Sequence, residues 1–283
     1  VLFPLAFLIL FFVLWLIFLV TEPLLEIGIK RMAHWTTKFR YRDYLPVLLV
    51  VLLGIGATIA AGDAFEDLAE LVQSNNTQLH DIDAKFHDWA LYSRTTGSTT
   101  FFVTMTIIGT PLPLGILIAI VTAFLVAKKR WRWATYLVFT VGTGALLNLV
   151  LKTYFQRARP DLAEALRHAT GFSFPSGHAM GSTVTFGALS YIAVRALAHW
   201  QWRWRAAAVA LALSIIVAIA SSRVYLGVHW ISDIAAGIVA GFIWVTASTV
   251  AYETFRRIRL LRAIRERRRP GAVPAGEDAG APH

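Results

Sequence analysis

The 283 residues are 57% hydrophobic and only 16% charged, whereas soluble domains carry roughly a quarter charged residues; a single soluble globular unit is excluded. The net charge is +10 and there is no cysteine, so a disulfide framework, a thiolate metal site and a thiol nucleophile are excluded as well.

Apolar residues fall in runs that approach the length a helix needs to cross a hydrocarbon core, about 20 residues. Seven such runs are predicted, over 1–20, 45–61, 101–127, 134–151, 179–198, 206–220 and 231–251. The first has neither a charged leader nor a small-residue cleavage site and reads as an anchor, not a signal peptide. Between the second and third runs, 62–100 carries seven acids and a helical apolar pattern in Phe65, Leu68, Leu71 and Val72, then Phe86, Trp89 and Tyr92. It reads as a helical segment lying on the membrane surface and framing a lipid entrance, or as an inert cover. Pro111 and Pro113 predict that the third run begins as a surface segment and enters the membrane near Pro111. The sixth run is short and leans on its flanks to span.

Lys and Arg accumulate on the cytoplasmic side of membrane proteins. Threading the seven runs with the tail inside places 20 of the 27 basic residues there. They lie in 21–44, 128–132 and 199–205, at Arg195, and in the eight arginines from Arg256 to Arg269. Tryptophans 131, 133, 200, 202 and 204 form an aromatic belt at the same interface. The arginine-rich tail follows a membrane helix directly, so it is expected to bind anionic inner-leaflet lipid and not nucleic acid. Residues 270–283 have the composition of a disordered end.

Five cations are left near the outer helix ends, Lys152, Arg157, Arg159, Arg167 and Arg223. Gathering them is costly unless an anion offsets their repulsion. Three segments supply the chemistry. Lys152-Thr-Tyr-Phe-Gln-Arg-Ala-Arg159-Pro160 leaves the fourth run, and the proline is expected to turn the chain away from the helix at Arg159. The arginine offers a planar fork to two phosphate oxygens and the lysine a point charge. Ser173-Phe-Pro-Ser176-Gly177-His178 opens the fifth run, where amide groups at a helix start make an anion cradle. Ser222-Arg223-Val-Tyr-Leu-Gly-Val-His229-Trp-Ile-Ser-Asp233 opens the seventh. His229 and Asp233, four apart, are expected on one helix face, where the carboxylate fixes the imidazole.

In order, content and side of the membrane, these blocks resemble the signature of the type 2 phosphatidic acid phosphatase (PAP2) superfamily: Lys-x6-Arg-Pro, Pro-Ser-Gly-His and Ser-Arg-x5-His-x3-Asp. The resemblance covers roughly 45–251. It implies an all-α polytopic membrane bundle with a six-helix core, to which the first run adds one N-terminal transmembrane helix. The expected division is 1–44 for that helix and its basic linker, 45–255 for the catalytic membrane domain and 256–283 for the tail.

For mechanism the resemblance implies His229 as the nucleophile that forms a phosphohistidine, Asp233 as its orienting partner and His178 as the general acid. Lys152, Arg159 and Arg223 would clamp the phosphoryl oxygens, assisted by Ser176 and the amide of Gly177. No metal or cofactor is implied, because cations and oriented amides supply the charge stabilisation that phosphoryl transfer needs. The remaining histidines, 34, 80, 87, 168, 199 and 283, are read as structural or solvated.

The implied substrates are lipid phosphates at the outer leaflet: undecaprenyl diphosphate, phosphatidylglycerophosphate, phosphatidic acid or a lipid A phosphate, in a bacterial inner membrane. A phosphotransferase using the same phosphohistidine stays open. A transporter or flippase would place charges near mid-span and pair broken helices, which the nearly charge-free run interiors disfavour. A soluble haloperoxidase-like activity is disfavoured by the membrane runs. The sequence leaves oligomeric state open.

Overall fold

The computed structural model describes residues 9–17, 45–161, 165–197 and 201–267. Most of the first apolar run, the basic linker and the end of the tail lie outside the described residues. Within them the chain is all helix: α1 (9–17), α2 (Leu45–Gln73), α3 (Thr77–Tyr92), α4 (Thr96–Ile108), α5 (Pro111–Ala127), α6 (Trp131–Phe155), α7 (Gly177–Ala196), α8 (Trp202–Tyr225) and α9 (Ile231–Arg267).

Three helices, α6, α8 and α9, are long and apolar enough to cross a membrane alone. The sixth run gains the length it lacked because α8 extends through both flanks to 24 residues, about 36 Å at 1.5 Å per residue. Helices α4 and α5 meet the criterion as a bent pair, with 55° between them. The break falls at Gly109 and Thr110, directly before Pro111, the first residue of α5, where a proline lacking its N–H is tolerated.

Helix α7 is too polar to meet the same test, and its place explains why. It packs against α5, α6, α8 and α9 and buries Ser182, Thr183 and Thr185. Hydroxyls facing lipid would lack partners; inside the bundle, Ser182 and Thr183 both donate to the carbonyl of Ala179, at 3.1 and 2.7 Å. Contact between α7 and α9 depends on two glycines one turn apart. A Cβ on Gly237 would lie 2.7 Å from the Ser176 carbonyl, and one on Gly241 would lie 2.7 Å from Thr183 Cβ. This small-residue stripe lets the backbones approach and sets the start of α7 beside the start of α9.

The segment 62–100 is no inert cover. Helix α2 continues unbroken from the second apolar run through the acidic stretch to Gln73. Its Phe65, Leu68, Ala69 and Val72 pack around Phe155 and the fully buried Phe174, with the Phe174 ring centroid 6.0 Å from Phe65 and 4.9 Å from Phe155. Helix α3 starts at Asn76, whose side chain accepts from the Leu79 amide at 3.1 Å. It exposes Phe86, Trp89 and Tyr92 while burying Asp83 and Ala90. At the other end of the fold, α9 runs on past residue 255 as one helix to Arg267.

Candidate active site

The three motifs converge at one end of the bundle. Helix α6 carries Lys152 in its last turn and stops at Gln156, which adopts a left-handed conformation with φ 47°. The chain therefore leaves the helix three residues before Arg159, earlier than Pro160 suggests, and Arg157 and Arg159 lie on an irregular segment. Their guanidinium groups then go to different partners.

Arg159 is held by a collar of carbonyls. It donates to Gly171 (3.0 Å), Val228 (2.8 Å), Thr170 (3.1 Å) and Phe172 (3.2 Å). Lys152 Nζ donates to the same Phe172 oxygen at 2.7 Å and to Ser173 O at 3.3 Å. The loop 170–173 thus points backbone dipoles at two cations, and these carbonyls offset part of the repulsion between them. Burial pushes the Arg159 pKa down, opposed by the nearby Asp233 carboxylate.

Ser176 caps α7. Its hydroxyl accepts from the Ala179 amide at 3.5 Å, and its own amide donates to the Asp233 carbonyl at 3.0 Å. The next two amides, of Gly177 and His178, belong to the first turn and have no intrahelical acceptor. His178 is hydrogen-bonded to the backbone of Thr106, and its buried Nε2 has no hydrogen-bond partner among the described residues. Gly109 makes room for this ring, since a Cβ there would lie 3.2 Å from His178 Cδ2.

Arg223 comes from the last turn of α8 and is buried, with Nη1 bonded to Thr106 Oγ1. The turn into α9 uses Gly227 at φ +75°, a conformation open to glycine without strain, and its Leu226 carbonyl accepts from the Leu166 amide at 3.0 Å. His229 follows, ahead of α9 and not on it. The expected pairing is present, with Nδ1 3.1 Å from Asp233 Oδ2, but its origin differs from a shared helix face. Asp233 is the third residue of α9, and its Oδ2 also accepts from the Trp230 amide at 3.0 Å. This is the reciprocal half of a capping box, which turns the carboxylate back toward His229.

With Nδ1–H donated to Asp233, the Nε2 lone pair points outward and accepts from Arg159 Nη1 at 3.0 Å. His229 is 2% exposed, and burial, reinforced by Arg159 and Arg223, pulls its pKa down to about 4 against the upward pull of Asp233. The imidazole is neutral near pH 7, as a nitrogen nucleophile requires.

Sequence reasoning missed a second layer. Arg157 donates to Asp233 Oδ1 at 2.7 Å, to Ser232 Oγ at 2.7 Å and to Asp83 Oδ2 at 2.8 Å. Asp83, from α3, also accepts from the Ser232 amide at 3.0 Å and the Ser232 hydroxyl at 2.6 Å. Arg157 stood out only as one of the outer cations and Asp83 only as one of seven acids. No spacing rule joins residues 74 apart.

From His178 and Lys152 an apolar groove of about 610 Å³ runs between α5, α6 and α7. Leu114, Ile118, Val138, Val141 and Val184 wall it, and Gly109, Gly115, Gly142, Gly144 and Gly181 widen it.

Helices long and apolar enough to cross a membrane, closed at one end by Lys152, Arg159, Arg223 and a carboxylate-oriented histidine, define a polytopic membrane protein. Residues 133–257 match the PAP2 superfamily model. Phosphatidylglycerophosphatase B of Bacillus subtilis (strain 168) is 34% identical over 116 residues, covering 41% of this chain and 56% of that protein. The chain therefore matches a little over half the length of that curated relative. The crystal structure of the first transmembrane PAP2 type phosphatidylglycerolphosphate phosphatase, from Bacillus subtilis, superposes with a TM-score of 0.62 at 26% identity, covering 76% of this chain and 98% of that one. That of Aquifex aeolicus LpxE gives 0.48 at 21% identity, over 59% and 93%. With its apolar helices and a transmembrane relative over most of its length, the chain is an integral membrane protein.

Proposed function

We propose that this protein is a membrane lipid phosphatase that cleaves a phosphate monoester from a phospholipid, with phosphatidylglycerophosphate the leading substrate. The observation that carries the reading is His229: Asp233 holds its Nδ1, and its Nε2 faces a pocket ringed by Lys152, Arg159 and Arg223. The relatives' names favour phosphatidylglycerophosphate over undecaprenyl diphosphate within the same chemistry.

In the proposed reaction the phosphoryl oxygens displace loop carbonyls as partners of Lys152 and Arg159. The amides of Gly177 and His178 add the start of α7 to the cradle. Nε2 of His229 attacks phosphorus and the bond from phosphorus to the lipid oxygen breaks; His178, whose pKa burial and Arg223 hold down to about 3 in the free protein, is protonated once the phosphoryl dianion offsets those cations, and gives that oxygen a proton. Water then attacks the phosphohistidine and passes a proton to His178, releasing inorganic phosphate and restoring both histidines. The groove beside His178 and Lys152 receives an acyl chain while the head group reaches the cations, and a bilayer-embedded substrate needs that pairing. The sidedness of the cations supports a periplasmic active site and a cytoplasmic C-terminus in a bacterial inner membrane.

The test is phosphate release by the detergent-purified chain from a panel of phosphatidylglycerophosphate, phosphatidic acid and undecaprenyl diphosphate, with His229→Ala as control. Release from phosphatidylglycerophosphate that the control lacks supports the proposal. Equal release by the control, or none from any lipid, refutes it.

A further inference from the structure

At the other end of α6 lies a second cavity that the reaction does not use. It holds about 750 Å³ between the first half of α6 and the last half of α9, within the range of about 300–1,000 Å³ of ligand sites. Along α6 its lining runs from Trp131 to Thr140 and along α9 from Arg259 back to Ser248. Those stretches are each about 15 Å at 1.5 Å per residue, one leaflet of a hydrocarbon core about 30 Å thick. Lys152 and Arg132 are twenty residues apart on α6, about 30 Å, so this groove and the active site face opposite leaflets.

The groove is amphiphilic along its length. Its inner wall is Tyr136, Phe139, Tyr252 and Phe255, and the Tyr136 hydroxyl is turned away into a 2.7 Å hydrogen bond with Thr249, leaving an aromatic surface. Its mouth carries Arg132, Arg256 and Arg259 and opens into a neighbouring cavity lined by Lys129, Arg130 and Arg195. Glu253 is the carboxylate beside this mouth, and Arg256, Arg257 and Arg195 already surround it at 2.7, 3.6 and 3.5 Å. The Tyr191 hydroxyl donates to Oε1, the oxygen that Arg195 also faces. Arg132 has no ion pair with a described residue, and Arg259 stacks on Phe255 with its guanidinium carbon 4.4 Å from the ring centroid. Positive charge is therefore in surplus at the mouth of an apolar slot one leaflet deep. Charge complementarity there selects an anion, and the slot selects one with an acyl chain.

We infer that this groove binds an anionic diacyl phospholipid of the leaflet opposite the active site, its head group on Arg132, Arg256 and Arg259 and one chain between α6 and α9. Such a lipid is a resident of the fold and not a substrate, because no histidine or carboxylate lines the groove to activate a hydroxyl or to attack phosphorus.

Native mass spectrometry of the detergent-purified full chain, titrated with phosphatidylserine or phosphatidylcholine of the same acyl chains, tests it. Phosphatidylserine has no terminal phosphate for the active site to cleave. The wild type and His229→Ala are expected to bind phosphatidylserine at least about tenfold more tightly than phosphatidylcholine. The double variant R132Q/R259Q should lose that preference while keeping the wild-type helical content by circular dichroism, which shows that it is folded, and R132K/R259K should keep the preference. Equal binding of the two lipids by the wild type, or an undiminished preference in R132Q/R259Q, overturns the inference. So does loss of the bound lipid in His229→Ala, which would place it at the active site. The readout needs no turnover, so it stands apart from the outcome of the phosphatase assay.

Discussion

Arg157 Nη1 lies 2.7 Å from Asp233 Oδ1, on the carboxylate oxygen that His229 does not use. One oxygen of Asp233 orients the nucleophile and the other is fixed by a cation, which is in turn fixed by Asp83 on α3 at 2.8 Å. Asp233 is fully buried, so its rotation is governed by these partners and not by water. Trp230, whose ring lies 5.8 Å from the Arg157 guanidinium carbon, covers the arrangement.

Asp83→Asn should therefore lower kcat far more than it raises KM, since Asp83 touches no cation of the phosphate pocket. A misplacement of the reacting nitrogen by about 1 Å costs about a hundredfold in rate, and a loss of ten- to a hundredfold is expected. Steady-state kinetics decide it: an unchanged kcat would mean that Asp83 only stabilises the fold, which thermal unfolding would register separately.

The two histidines separate by leaving group. His229→Ala should abolish phosphate release from every substrate, because no covalent intermediate can form. His178→Ala should lose about 10²–10⁴-fold on a lipid phosphate, the range of a general acid, but far less on p-nitrophenyl phosphate, whose leaving group needs no proton. Helical content by circular dichroism should match wild type in both. A uniform loss on both substrates would remove His178 from the acid role.

The pH profile follows from the buried imidazole. The His229 pKa lies at about 4, below the ordinary 6.5 or so. The active form is the unprotonated one, so activity is present above the folded-state pKa and lost as pH falls through about 4. The acid limb of kcat/KM, which reports the free enzyme, should fall near 4. A limb centred at 6.5 would mean that the ring is solvated.

How much of this was legible beforehand depended on the kind of signal. Membrane helices are written in composition, since every lipid-facing position must be apolar, and the break before Pro111 is written in one residue. The order of Lys152, Arg159, Ser176, His178, Arg223, His229 and Asp233 marked segments that the structure brings to one end. Helix α7 shows the limit: its hydroxyls are tolerable only because four neighbouring helices cover them, and hydropathy sees the helix alone. The Asp83–Arg157–Asp233 chain shows another, for it joins α3, the exit of α6 and the start of α9, and only the packed bundle makes them neighbours. Local stereochemistry was likewise misplaced by a few residues. Gln156 ends α6 where Pro160 had seemed to, and the capping geometry of α9 delivers the His229 contact that helix periodicity had been asked to supply.

The apolar groove beside the active site gives the last prediction. Gly181 sits on its α7 wall, where an added Cβ would meet only Leu114 Cδ1 at 3.9 Å, so a larger side chain projects into open groove without a backbone clash. Gly181→Phe places an aromatic ring where the acyl chain is proposed to lie, within a turn of His178 but not touching the cations. KM for a long-chain phosphatidic acid should rise about tenfold or more, the cost of losing one or two kcal/mol of apolar burial. Hydrolysis of a short-chain soluble phosphate monoester should stay near wild type. Equal losses on both would place the disturbance at the catalytic histidines, and no loss on either would mean that the chain lies elsewhere.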